Sequence, residues 1–371
     1  MKQRFKKHVA LTLISLMLLS LIGCGKPAST DTTTTTEAAV TEAPAASISD
    51  AATTADSTPA DASEEGSDAQ TVYPVTVTDQ SGREVTIEKE PESIVSGYYI
   101  STSLLLALGL KDKVTGIEAK ADKRPIYKLA APEFLELPNV GTAKEFDLET
   151  CASLSPELVI LPMKLKDAAQ SLSELDIPVL LVNPESEDQL EQMIELVSTA
   201  TNTKGNADAL LSYIDEKKEM LEKDLSGVEV KSVYLAGNSS LLSTAGPAMY
   251  QSGLIELAGG KNAASEITDT YWAEISYEQL LAWDPSYIIL ASDAEYTPED
   301  VLNDENLKEC TAVKNGNVYA IPGDIEALDS PVPGGILASI WLAGILHPDQ
   351  VSADMYTEEK AAFYETFYGI K

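Results

Sequence analysis

Two stretches of the chain repeat one another. Asp147-Leu148-Glu149 runs through Ser155-Pro156 into Leu158-Val159-Ile160-Leu161, and Ser276-Tyr277-Glu278 runs through Asp284-Pro285 into Tyr287-Ile288-Ile289-Leu290. Each copy reads as a short helix with an acidic residue at its start, a proline turn, then a buried strand. Glu149 and Glu278 each precede their proline by 7 residues and stand 129 residues apart. A supersecondary unit present twice calls for two similar lobes, with something to join them. The stretch 204–225 lies between the copies, with apolar Ala207, Leu210, Leu211, Ile214, Leu221 and Leu225 at the spacing of an amphipathic helix. About 20 residues at about 1.5 Å each make it roughly 30 Å long, the width of a small domain. Alone, it would serve equally as a surface helix of one domain. Between duplicated units it reads as a bridge, and Lys218, which interrupts its stripe, fits a helix lying across two lobes rather than sunk into one.

The rest of the folded part supports this. Residues 73–87 alternate apolar and polar on both sides of Gln80-Ser81-Gly82, which predicts a β-hairpin. Strand 94–97, loop 98–101, helix 102–108 and strand 114–117 follow. Then come helix 146–154, strand 158–161, helix 167–175, strand 179–182 and helix 188–199. Beyond the bridge the pattern restarts with strand 232–236, helices 250–258 and 277–282, strands 287–290 and 318–321, and a closing helix over 333–346. Apolar strands separated by helices indicate parallel sheets covered on both faces. The expected fold class is α/β: two lobes with parallel-rich sheets, joined by one long helix, with a ligand cleft between them.

The net charge of −33 argues strongly against nucleic-acid binding, which needs a basic surface. Residues 1–24 read as a secretion signal: Lys2, Arg4, Lys6 and Lys7, then the apolar run 9–22, too short to span a bilayer comfortably. Leu21-Ile22-Gly23-Cys24 resembles the bacterial lipobox, in which the cysteine, here Cys24, receives the lipid. Residues 25–71 are Thr, Ala, Ser, acidic residues and Pro without an aromatic, too poor in apolar surface to offset ordering entropy. As a random coil of about 46 residues this tether would span roughly 35–40 Å. The expected boundaries are then 72–200 for the first lobe, 201–226 for the connecting helix and 227–371 for the second lobe. Cys151 and Cys310, one per lobe, make no disulfide framework and are expected to be buried thiols.

With these motifs in order, the chain resembles the substrate-binding proteins of ABC importers for iron complexes (siderophores, haem) and cobalamin, the type with a rigid helical connector. The resemblance covers about residue 75 to residue 371. It rests on VTDQSGREVTI before SIVSGYYISTSLLLALGL, on DLETCASLSPELVIL and ISYEQLLAWDPSYIIL, and on AVKNGNVYAIP before SPVPGGILASIWLAGILHPD. It implies a lipid-anchored monomer on the extracytoplasmic face of the cell membrane, working with a permease dimer and its ATPase. It also implies that one glutamate on each lobe docks to permease arginines, which maps to Glu149 and Glu278. Two carboxylates on matched lobes can meet the two copies of a dimer and fix register by charge. Acids at helix N-termini also complement the macrodipole, and both roles can hold at once.

Ligands of open α/β sheets sit at the carboxyl ends of the strands. The candidate lining is Tyr98, Tyr99, Lys123, Arg124, Tyr127, Lys144, Lys164 and Lys166 from the first lobe. The second lobe offers Asn238, Tyr250, Tyr271, Trp272 and the loop 324–330 with Asp329. Aromatics facing a cleft suit a large, flat or partly apolar ligand such as a corrin or a chelate, although each is equally a scaffold aromatic. Some relatives hold anionic ligands with an arginine after the proline of the closing motif, where this chain has Gly334-Gly335. Arg83 and Arg124 are the only arginines beyond the signal segment, so catecholate chelates fit less well than a corrinoid or a neutral hydroxamate. Beyond the signal segment the sole histidine is His347, which argues against His-based catalysis and a bare-zinc site. No phosphate-binding glycine loop appears. The reading is a carrier without chemistry or a cofactor of its own. A carboxylate-based surface hydrolase and a carrier for a different metal complex or an oxyanion are the alternatives.

Overall fold

The structure, a computed structural model, describes residues 70–268 and 270–371. The expected signal segment, Cys24 and almost all of the tether lie outside the described residues. The first lobe opens with the expected hairpin, β1 (Val75–Thr78) against β2 (Glu84–Ile87). Asp79 at its turn pairs with Arg83 at 2.7 Å and accepts the Leu181 N–H, pinning the hairpin to the sheet edge. Then come β3 (Ile94–Ser96), α1 (Tyr99–Ala107), β4 (Val114–Gly116), α2 (Pro125–Ala130), α3 (Leu148–Ser153), β5 (Leu158–Pro162), α4 (Lys166–Ser173), β6 (Val179–Val182) and α5 (Glu187–Thr201). The connector is α6 (Lys204–Asp224).

The second lobe continues with β7 (Lys231–Ala236), β8 (Ser243–Ala245), α7 (Tyr250–Leu257), β9 (Gly260–Asn262), β10 (Trp272–Glu274) and α8 (Tyr277–Trp283). It is completed by β11 (Tyr287–Leu290), α9 (Pro298–Leu302), α10 (Thr311–Asn315), β12 (Val318–Ala320), α11 (Ile336–Leu346) and α12 (Ala353–Tyr368). Each lobe holds one four-stranded sheet, ordered β4-β3-β5-β6 and β12-β11-β7-β9, with every neighbouring pair parallel.

The duplicated unit is visible in backbone detail. Asp147 caps α3 and Ser276 caps α8, each accepting from the N–H three residues on, which places Glu149 and Glu278 at the second position of their helices. Ser155 and Asp284, directly before the two prolines, both adopt left-handed φ, +50° and +42°. The following strands, β5 and β11, both lie in the interior of their sheets.

Alternate strand residues serve two cores, as a period of two requires. Val159 and Leu161 join an outer cluster with Cys151, whereas Leu158 and Ile160 face inward. In the second lobe Ile288 and Leu290 pack outward with Cys310, and Ile289 inward. The inner faces of both lobes, α6, α11 and α12 share one continuous core. The two cysteines are buried free thiols in equivalent outer layers.

α6 packs on α5 of the first lobe and on α7 and α11 of the second, as expected of a bridge. Lys218 breaks its stripe to pair with Glu191 at 2.6 Å on α5. Three differences from the sequence reading have clear causes. α1 begins at Tyr99 rather than Thr102, because the Ser101 and Thr102 hydroxyls and the Thr102 N–H bond back to the Tyr98 carbonyl. Phe146 lies before α3, in a bridge with Gly141. The last helix is α12, which buries Phe363, Tyr364 and Tyr368 only towards its end, so its sequence shows no full-length stripe.

Candidate functional site between the lobes

The carboxyl ends of β3 and β11 face one another. Tyr99, three residues beyond β3, donates its hydroxyl proton to Ser330 of the second lobe at 2.9 Å. Arg124 sits at the start of α2, and its guanidinium lies 4.0 Å from the centre of the Tyr99 ring. From there Nη1 reaches to 3.9 Å from Asp293, which follows β11. The Ile126 N–H also donates to the Ile325 carbonyl across the lobes at 3.1 Å. These links enclose a narrow recess of about 30 Å³, lined by Tyr99, Ser103, Lys123, Arg124, Asp293 and Glu326 among others. That is room for a few waters, so a corrin- or chelate-sized molecule requires the lobes to part.

Three acids near the recess are buried: Glu326, which lines it, and Glu118 and Asp329, which do not. Glu326 accepts from the hydroxyls of Ser103 on α1 and Tyr364 on α12. Burial pushes its carboxyl up to about 7, against the opposing pull of those hydrogen bonds. Glu118 is raised by burial too, while accepting from Thr102 and Tyr127 at 2.7 Å each. Asp329 is raised by burial although Ser292 donates to it from both hydroxyl and backbone.

Of the residues expected to bind ligand, the structure brings Tyr99 and Arg124 into the recess, with Lys123 and Tyr127 beside them. Tyr98 is half-buried at the cap of α1, edge-on to Tyr99 at 5.3 Å. Tyr271 and Trp272 are exposed, and the Trp272 ring lies over Gly237 at the carboxyl end of β7. Lys164 is exposed in a turn beyond the carboxyl end of β5, and Lys144 is exposed in the tight turn before α3. Neither of these lysines lines the recess. Tyr250 is buried, its hydroxyl filling the space where Gly335 lacks a side chain. It borders a second small recess on the connector side, with Glu187, Ile214 and Pro333. Asp329 is buried as a pin for Ser292, and its carbonyl accepts from Gln251 at 2.8 Å. Glu149 and Glu278 are exposed on their separate lobes and do not line the recess.

Sequence reasoning did not single out Asp293, Ser103 or Glu326. Asp293 obeys the strand-end rule that selected Tyr98 and was open to it. Glu326 lay in the chosen loop, and Ser103 carries no signal of its own. Among the described residues no group of three or more His, Cys, Asp or Glu side chains stands ready to hold a metal ion. None of the described helices is long and apolar enough to cross a membrane.

Comparison with known proteins agrees with this architecture. The chain is 29% identical to YvrC, an ABC transporter substrate-binding lipoprotein of Bacillus subtilis, over 70% of this chain and 82% of that one. It is 24% identical to the molybdate-binding protein MolA of Haemophilus influenzae, over 79% of this chain and 90% of MolA. Among solved structures, a periplasmic solute-binding protein of Veillonella parvula superposes with a TM-score of 0.71 at 26% identity, covering 80% of this chain and 93% of that one. Such relatives are binding proteins of transport rather than enzymes. The model of the family described as periplasmic binding protein matches residues 94–325, which span both sheets and more than half of the chain, and the chain belongs to that family.

Proposed function

We propose that this chain, a substrate-binding component of an ABC importer, captures a corrinoid or a ferric chelate between its lobes and delivers it to the membrane permease. The observation that carries the reading is the aromatic equipment at the strand ends. Tyr98 and Tyr99 follow β3, and the exposed Trp272, next in sequence to the exposed Tyr271, lies over Gly237 at the carboxyl end of β7. Aromatics gathered at strand ends suit a flat, partly apolar ligand. On this reading Glu149 and Glu278 dock to the permease and Cys24 carries a lipid anchor at the extracytoplasmic face.

An oxyanion is the second reading, favoured by Arg124 in the recess and by the molybdate-binding relative. It is opposed by Asp293, which pairs with that arginine from the opposite lobe at 3.9 Å. A thermal-shift comparison of cyanocobalamin, haem, ferric hydroxamates, ferric catecholates and molybdate decides between them. A ligand at about 100 times its Kd stabilises the folded state by about 2.7 kcal/mol. Stabilisation by cyanocobalamin or a ferric chelate is the expected outcome; a shift with molybdate alone would replace this reading with the second.

A further inference from the structure

Every charged side chain that reaches the recess is already committed. Arg124 is held on one side by the Tyr99 ring and on the other by Asp293 of the opposite lobe. Lys123, the other cation of the lining, points outward, 76% exposed, with Asp122 at 3.4 Å. Asp293 supplies negative charge to the lining, whereas burial favours the neutral form of its other acid, Glu326. The glycine pair at the start of α11 offers no further cation. A side chain at Gly334 would meet the Glu326 carboxylate and the Tyr364 hydroxyl, and one at Gly335 would enter the Tyr250 hydroxyl.

We propose that Asp293 is a charge filter: by engaging Arg124 from across the cleft, it makes the recess accept neutral or cationic ligands and turn away anions. The inference rests on the proposed capture of a metal complex and specifies the charge class of that complex. Asp293 is the suitable residue for such a task because it is peripheral to the core. Its side chain is 59% exposed and lies beyond the end of β11 rather than within the sheet. Its pairing with Arg124 crosses from one lobe to the other, so the filter sits where the two lobes meet.

The magnitude follows from Coulomb's law. A dianion about 6 Å from one carboxylate, in a water-like dielectric, is disfavoured by about tenfold in Kd. A lower local dielectric enlarges the effect, and salt reduces it.

The test is calorimetric titration of the full chain and its Asp293→Asn and Asp293→Glu variants with sodium molybdate and with cyanocobalamin, at low and at high salt. Asp293→Asn is expected to bind molybdate at least about tenfold more tightly than the unaltered protein, with the gain shrinking in high salt. Asp293→Glu keeps the charge and should show no such gain. Cyanocobalamin has no net charge, so its affinity should move less than that of molybdate. The proposal is overturned if Asp293→Asn gains nothing, if the unaltered protein already binds molybdate as tightly, or if both ligands shift equally, which would mark a steric effect. If Asp293→Asn gains molybdate binding while cyanocobalamin and ferric chelates bind neither protein, the filter stands and the metal-complex reading falls.

Discussion

Glu326 joins three parts of the molecule through one carboxylate: Ser103 on α1, Tyr364 on α12 and the loop that carries it. Burial lifts its pKa from 4.5 to about 7, so the folded protein holds a proton that the unfolded chain releases at lower pH. Its contribution to stability is therefore full below about 4.5 and is lost as pH rises through about 7. The span corresponds to about 3 kcal/mol. Urea midpoints at pH 5 and pH 8 should differ less in Glu326→Gln, whose amide cannot ionise, than in the unaltered protein. Glu118 and Asp329, pushed the same way by burial, leave a smaller slope behind. An undiminished slope in Glu326→Gln would remove this assignment. Tyr99 and Arg124 could be chosen from sequence because position after a strand and residue type suffice to mark them. The Ser103–Glu326 link could not, since it depends on where a loop folds at a sequence separation of 223.

The connector separates two kinds of contact within one helix. Leu221 is fully buried in the shared core, whereas Lys218 makes a half-exposed pair with Glu191. Leu221→Ala should cost about 2–5 kcal/mol by transfer and cavity terms. Lys218→Ala should cost about 1 kcal/mol or less. Denaturant titration of the two variants measures both, and comparable losses would mean that α6 is held by charge rather than by packing. A second tie runs beside the first. Lys217 and Tyr213 both reach Glu359 of α12 at 2.9 Å, and Tyr213 packs on Phe363 with ring centres 5.2 Å apart. α12 in turn meets α1 through Tyr368 and Ser103 at 2.9 Å. The longer strands, the hairpin and α6 were legible because their apolar residues recur at a recognisable period, in α6 despite the break at Lys218. α12 was not, because its first half is largely exposed and its anchoring aromatics come late. The short strands β8, β9 and β10 also escaped notice, having three residues each and no run of apolar side chains.

Two lobes built on one repeated unit present their exposed glutamates in the same local frame, second in a short helix after a side-chain cap. Hydrogen bonds from its own backbone N–H and from the Ser276 hydroxyl hold the Glu278 carboxyl below its ordinary range, so it stays ionised at neutral pH. Glu149→Ala with Glu278→Ala should abolish uptake of whichever ligand thermal shift identifies, while its affinity for the isolated protein stays within about twofold. A large loss of affinity would put the glutamates in ligand binding instead of docking. The position of α12 in the chain has a bearing on biogenesis. Both sheets and the connector are synthesised before the helix that clasps them together, and domains fold as units in order of synthesis. The lobes can thus assemble first and be locked afterwards, so a chain interrupted before residue 353 would leave Tyr213 uncovered and offer quality-control proteases a recognisable, unfinished surface.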